Sequence, residues 1–114
     1  MRLKDFLNAG NIHDFPIGKG KSLSIGNEKF AVFRETYGHF YIFIEQVNDQ
    51  IGPLFQGIID QGKIKLRNGH SVDLHTGRLD ESEEVIPSVT PWLENGFILF
   101  NCPSAQNRIT QHLD

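Results

Sequence analysis

Three residues of this chain could together hold a metal ion if turns gathered them: Asp49, His70 and His75. One carboxylate and two imidazoles are the donors of a mononuclear His/carboxylate centre. Such a centre needs three ligands in fixed geometry and further groups to orient the rings. His70 and His75 lie five positions apart on or near one expected strand, so they project to opposite faces if that strand stays regular. Two readings follow, a site rebuilt around Asp49, His70 and His75 or three polar loop residues.

Nucleophilic and phosphate-binding chemistry has less support. Ser22, Ser24, Ser71, Ser82, Ser88 and Ser104 lie in no nucleophile-elbow context. Cys102, beside Pro103, has no basic neighbour in sequence to activate it and reads as an inert thiol. It is also the only cysteine, which excludes an internal disulfide and any metal site built on two or more thiolates. No Gly-x-Gly-x-x-Gly or Walker pattern occurs, and Gly18 and Gly20 precede a strand rather than a helix.

The elements that would position these groups are strands. Lys63 to Arg67 alternates, so Ile64 and Leu66 share one face and Lys63, Lys65 and Arg67 the other. Asn68-Gly69 predicts a two-residue type I′ turn, with His70 to Leu74 returning. Phe30-Ala31-Val32-Phe33 and Phe40 to Ile44 are apolar on both faces, which predicts sheets packed on sheets. Gly26-Asn27 and Asn95-Gly96 read as hairpin turns, and Pro87 demotes Val85 to Val89 to an edge strand. Leu54 to Ile59 is a short apolar piece, and Glu45 to Ile51 reads as polar and irregular. Leu3, Phe6 and Leu7 have helical spacing, although a short apolar turn explains them as well. The total is about eight or nine short strands, an antiparallel β-sandwich or partly open barrel.

At 114 residues the chain reads as one domain, residues 1–101, with a loop subdomain near 45–77 and a polar tail over 102–114. Nine phenylalanines against a single methionine supply a stiff core. A net charge of −3 argues against nucleic acid and anionic membrane as partners. No apolar run is long enough for a membrane span, and MRLKDFLNAG lacks a signal-peptide core, so a cytoplasmic protein is expected.

The order of these segments resembles small Rieske-type ferredoxins over about residues 12–101. DFPIGKGKSLSIGNEKFAVFRETYGHFYIFIE is similar to that family's first half, and IGPLFQG to the Gly-Pro-Leu stretch after its Cys-x-His box. Val72-Asp73-Leu74-x-Thr76-Gly77 resembles its Phe-Asp-Leu-x-Thr-Gly, and VIPSVTPWLENGFILFN its closing hairpin. The resemblance implies a Rieske-like all-β fold with a [2Fe–2S] centre held by two cysteines and two histidines. The ligand positions depart from it. Aligned on Gly52-Pro53-Leu54, Val47 and Asp49 replace the first cysteine and histidine. Counted back from Val72, Lys65 and Asn68 replace the second pair; aligned on Gly62-Lys63-Ile64 the frame slips by one, and neither register contains a thiolate. A chain without a cluster is therefore expected, similar to small subunits of bacterial NADH-dependent nitrite reductase that lack the ligands. There the large subunit is expected to carry the flavin, siroheme and iron–sulfur chemistry.

The resemblance implies a non-catalytic accessory subunit of an oxidoreductase, with a protein partner and no cofactor of its own. In a cluster-bearing relative the loop tip contacts the redox partner. Here Val47, Ile51, Pro53, Leu54 and Phe55 are expected to be partly exposed at that tip, beside Lys63, Lys65 and Arg67. The cations read either as a solvated edge or as a docking stripe for an acidic partner, where charge serves orientation and on-rate.

Overall fold

The computed structural model describes residues 6–45 and 51–101, and they form three small antiparallel sheets. The first sheet joins β1 (Leu7–Asn11), β10 (Phe97–Phe100) and β9 (Pro91–Glu94) in that order. The second joins β2 (Gly20–Ile25), β3 (Glu28–Arg34), β4 (Phe40–Ile44) and β8 (Ser88–Val89). The third, which forms an arm, joins β5 (Ile58–Asp60), β6 (Lys63–Lys65) and β7 (Ser71–Asp73). No α-helix and no closed barrel occurs among the described residues. No helix there is long and apolar enough to cross a membrane.

The two apolar runs explain the layering. On β3, Phe30 and Val32 pack with Ile98, Phe100 and Ala9 of the first sheet. The intervening Ala31 and Phe33 pack with Ile64, Leu66 and Val72 of the arm. β4 repeats the division, with Phe40 and Ile42 on one side and Phe43 on the other. The second sheet is thus covered on both faces, which is why neither run alternates with polar residues. Edge-to-face rings pack between and within the layers: Phe30 lies 5.0 Å from Phe100 of the first sheet, and Phe33 lies 6.1 Å from Phe43 inside the second sheet. Complete burial of each such ring contributes about 1.5–3 kcal/mol, so these rings hold the layers together.

Several local expectations are corrected. Among the described residues of the N-terminal segment, Leu7 to Asn11 is neither helix nor simple turn but pairs with β10, with a register shift between Asn8 and Gly10, while Leu3 lies outside the described residues. Side-chain spacing over so few residues did not separate these states, and cross-strand pairing decides. Leu54 to Ile59 divides into a 3₁₀ turn over Leu54–Gln56 and then β5. Asn68-Gly69 is not a type I′ turn, because Asn68 does not have a positive φ while Gly69 does, at 93°. Gly69 N–H instead donates to Leu66 O, and Leu66 N–H to His70 O, closing a three-residue loop. Both central residues are left-handed at Gln61-Gly62 and at the expected Asn95-Gly96 turn.

Candidate functional site

The arm is anchored from beneath and left open above. Ile64, Leu66, Val72 and Leu74 are buried in the core that also contains Phe33 and Phe43. Gly57 lets this packing close, since a Cβ there would lie 2.5 Å from Ile64 Cγ2. The Asp73-to-Gly77 motif turns the chain at the base. Asp73 Oδ1 accepts the His75 and Thr76 N–H groups, both at 2.9 Å, and Gly77 N–H donates to Asp73 O at 2.8 Å. These bonds, the Thr76 N–H foremost, hold the Asp73 carboxyl below its ordinary pKa. The motif therefore has a structural role that needs no ligand.

A second carboxylate ties the tip of the arm to the acidic loop. Asp80 Oδ2 lies 2.6 Å from His70 Nδ1, and Asp80 Oδ1 accepts the Ser71 N–H at 2.7 Å. The His70 bond, followed by the Ser71 N–H, lowers the Asp80 pKa. His75 has a different neighbour: its ring meets Tyr41 edge-on at 5.6 Å, with Nδ1 3.5 Å from the hydroxyl. Tyr41 is held above its ordinary pKa by burial and then by Glu35, so its hydroxyl is a neutral hydrogen-bonding group at ordinary pH. The two imidazoles thus have separate partners. Among the described residues no group of three His, Cys, Asp or Glu side chains could hold a metal. Val47 and Asp49 lie outside the described residues, as do Cys102 and the tail.

The base of the first loop has a device that sequence reading missed. Glu45, at the end of β4, accepts the N–H groups of Leu54 at 2.7 Å and Phe55 at 3.1 Å. Glu45 lies nine residues before Leu54, far outside local capping spacing, so no sequence signal pointed to it.

Two tip residues expected at the surface are core residues. Ile51 and Leu54 are 5% and 2% exposed, because Glu45 folds the 3₁₀ turn against β2 and β3 and directs Leu54 inward. Leu54 is therefore not part of a docking surface. Pro53 is exposed and Phe55 half-buried.

The cation stripe is divided by cross-strand pairing. Lys63 lies between Asp60 on β5 and Asp73 on β7. Lys65 instead lies between Ile58 and Ser71, and Ile58 also bridges to Lys19. Directly paired residues present their side chains to one face, so Lys19, Ile58 and Lys65 form a row. Lys19, Phe55, Ile58, Lys65 and Arg67 line a groove of about 590 Å³. A separate, more apolar groove of about 450 Å³ lies between β4 and residues 88–93, with Tyr41 and His75 in its wall.

A [2Fe–2S] centre of Rieske type does not fit the donors present. The arm offers Lys65, Arg67, Asn68 and His70 at its end, with the His70 Nδ1 engaged by Asp80, and the sequence contains one cysteine where such a centre needs two.

No protein-family model and no curated protein matches the sequence. Solved structures do match in fold. An NADH-dependent nitrite reductase small subunit from Mycobacterium tuberculosis superposes with TM-score 0.71 at 17% identity, covering 83% of this chain and 92% of that one. The Sphingomonas yanoikuyae B1 ferredoxin gives TM-score 0.73 at 18% identity, covering 85% and 98%. A chain from the complex of reduced oxygenase and oxidised ferredoxin in carbazole 1,9a-dioxygenase gives 0.69 at 18%, covering 86% and 94%. At such identities the likeness is one of fold: this chain has a Rieske-like all-β architecture.

Proposed function

We propose that this chain is a cofactor-free, Rieske-like accessory subunit of an oxidoreductase, of nitrite reductase small-subunit type. The observation that carries this reading is the donor set on an otherwise Rieske-like arm. On this reading Lys65 and Asn68 take the positions of a cysteine and a histidine, and one cysteine cannot supply two thiolates. On this reading Val47 and Asp49 are the vacated positions of the first loop. The chain is non-catalytic and works by holding or orienting a larger subunit that carries the redox chemistry. The names of two fold neighbours support a protein partner: one is a nitrite reductase small subunit, the other comes from an oxygenase–ferredoxin complex.

The docking surface on this reading comprises Phe55, Lys65 and Arg67, with Lys63 at its margin between two carboxylates. A cytoplasmic location and a single domain with a subdomain near residues 45–77 belong to the same reading. The test combines spectroscopy with co-purification. The purified protein is expected to be folded, colourless and free of stoichiometric iron, and to co-purify from its native host with an oxidoreductase subunit. An iron–sulfur spectrum, or elution of the tagged chain alone, would overturn the proposal.

A further inference from the structure

The outer face of the arm is electrically uneven. One row, Asp60–Lys63–Asp73, places a cation between two carboxylates. The next row, Lys19–Ile58–Lys65–Ser71, contains two cations and no carboxylate of its own, Asp80 meeting it only at the Ser71 end, and Arg67 stands beside it. Among the described residues no carboxylate lies within ion-pair distance of Lys19, Lys65 or Arg67. Ile58, between the two lysines, is 49% exposed.

We propose that this groove seats an acidic segment of a partner protein, with an apolar side chain of that segment lying against Ile58 and Phe55. The inference rests on the docking reading above and narrows it to one face and one partner chemistry. Charge complementarity supplies the argument: three like charges converge on a groove with an apolar floor, so a segment carrying carboxylates beside an apolar side chain meets both requirements. The geometry selects against broad polyanions. Residues two apart on a strand are about 7 Å apart, so a nucleic acid or anionic lipid surface laid across the groove would also meet Asp60 and Asp73. The net charge of −3 adds repulsion beyond the groove. A narrow acidic strand or turn avoids both. Ile64 and Leu66 hold the arm from below, and Gly20 N–H donates to Gly57 O at 3.1 Å in the wall of the groove.

The experiment is an amide chemical-shift titration of the isotopically labelled full chain with synthetic peptides of about twelve residues. One peptide is rich in Asp and Glu around a single Phe, and its control has Asn and Gln at the same positions. The acidic peptide is expected to shift residues 19, 55–58 and 65–67. Binding is expected to weaken steeply between about 50 and 300 mM salt, as screening shortens the reach of the groove's charges. The Lys19→Glu/Lys65→Glu double variant is expected to lose affinity about tenfold or more, while Lys63→Gln stays within about twofold. No binding, equal binding of the control, an unaffected double variant or shifts elsewhere would each overturn the proposal. So would saturation of the groove by phosphatidylglycerol vesicles where the acidic peptide fails. Failure here is distinguishable from failure of the functional reading. Peptide binding without an oxidoreductase partner leaves the groove and removes the function; undiminished co-purification of the double variant does the reverse.

Discussion

Glu45 Oε2 accepts the Leu54 N–H at 2.7 Å while Oε1 accepts that of Phe55 at 3.1 Å. One carboxylate thereby joins the end of β4 to the turn after Pro53 and sets which side chains of that turn enter the core. Glu45→Ala is expected to cost about 1–2 kcal/mol, because two amides lose their acceptor. Glu45→Gln, which keeps an acceptor oxygen, should cost less. Urea unfolding measures both, and faster hydrogen exchange at Leu54 and Phe55 would localise the effect.

Leu54 and Phe55 are neighbours in sequence with opposite roles. Leu54→Ala is expected to destabilise the fold by about 2–5 kcal/mol, as deletion of a buried aliphatic side chain does. Phe55→Ala should cost markedly less. Comparable losses from the two substitutions in thermal or urea unfolding would contradict the assignment of Leu54 to the core.

Gly77 and Gly69 both have positive φ, 79° and 93°, but only one is crowded. A Cβ at Gly77 would lie 2.5 Å from Ile86 O, whereas nothing lies within 4 Å of one at Gly69. Gly69→Ala should cost about 1–2 kcal/mol for the left-handed conformation alone. Gly77→Ala must also displace the Ile86 carbonyl and is expected to lose more. Equal midpoints for the two variants would show that the close approach is unimportant.

Asp73 and Asp80 give the protein an acid limb of known sign. Both carboxyls have native pKa values below the ordinary 3.8. Their contribution to stability is therefore fully present above that value and lost as pH falls through the lower native values. Unfolding free energy should decline below about pH 4. Asp80→Asn, which keeps an acceptor for Ser71 N–H but removes the charge beside His70, should flatten the decline. Urea titrations across that range measure it, and an unchanged slope would remove Asp80 from the account.

Much of the fold was legible in residue order. Phe30 to Phe33 and Phe40 to Ile44 lack polar alternation, and a strand without a polar face must be covered twice, which requires sheets on both sides. Asn95-Gly96 announced its turn because both residues tolerate positive φ. Gln61-Gly62 adopts the same conformation with a less telling first residue. Leu7 to Asn11 was not legible as a strand, since its pairing with β10 joins opposite ends of the domain.

The sequence by itself determined the two-faced strands, the turn glycines, the Asp-Leu-x-Thr-Gly base and the impossibility of a thiolate pair from one cysteine. Tertiary structure alone decided what each charge faces. Period 2 shows that Lys63, Lys65 and Arg67 leave one side of a strand, but electrostatic character depends on the neighbours across the ladder. Pairing placed Asp60 and Asp73 beside Lys63, and brought Ile58 and, through it, the distant Lys19 to Lys65. The same three-dimensional closure, with Glu45 as its fastener, took Leu54 out of the surface and into the core.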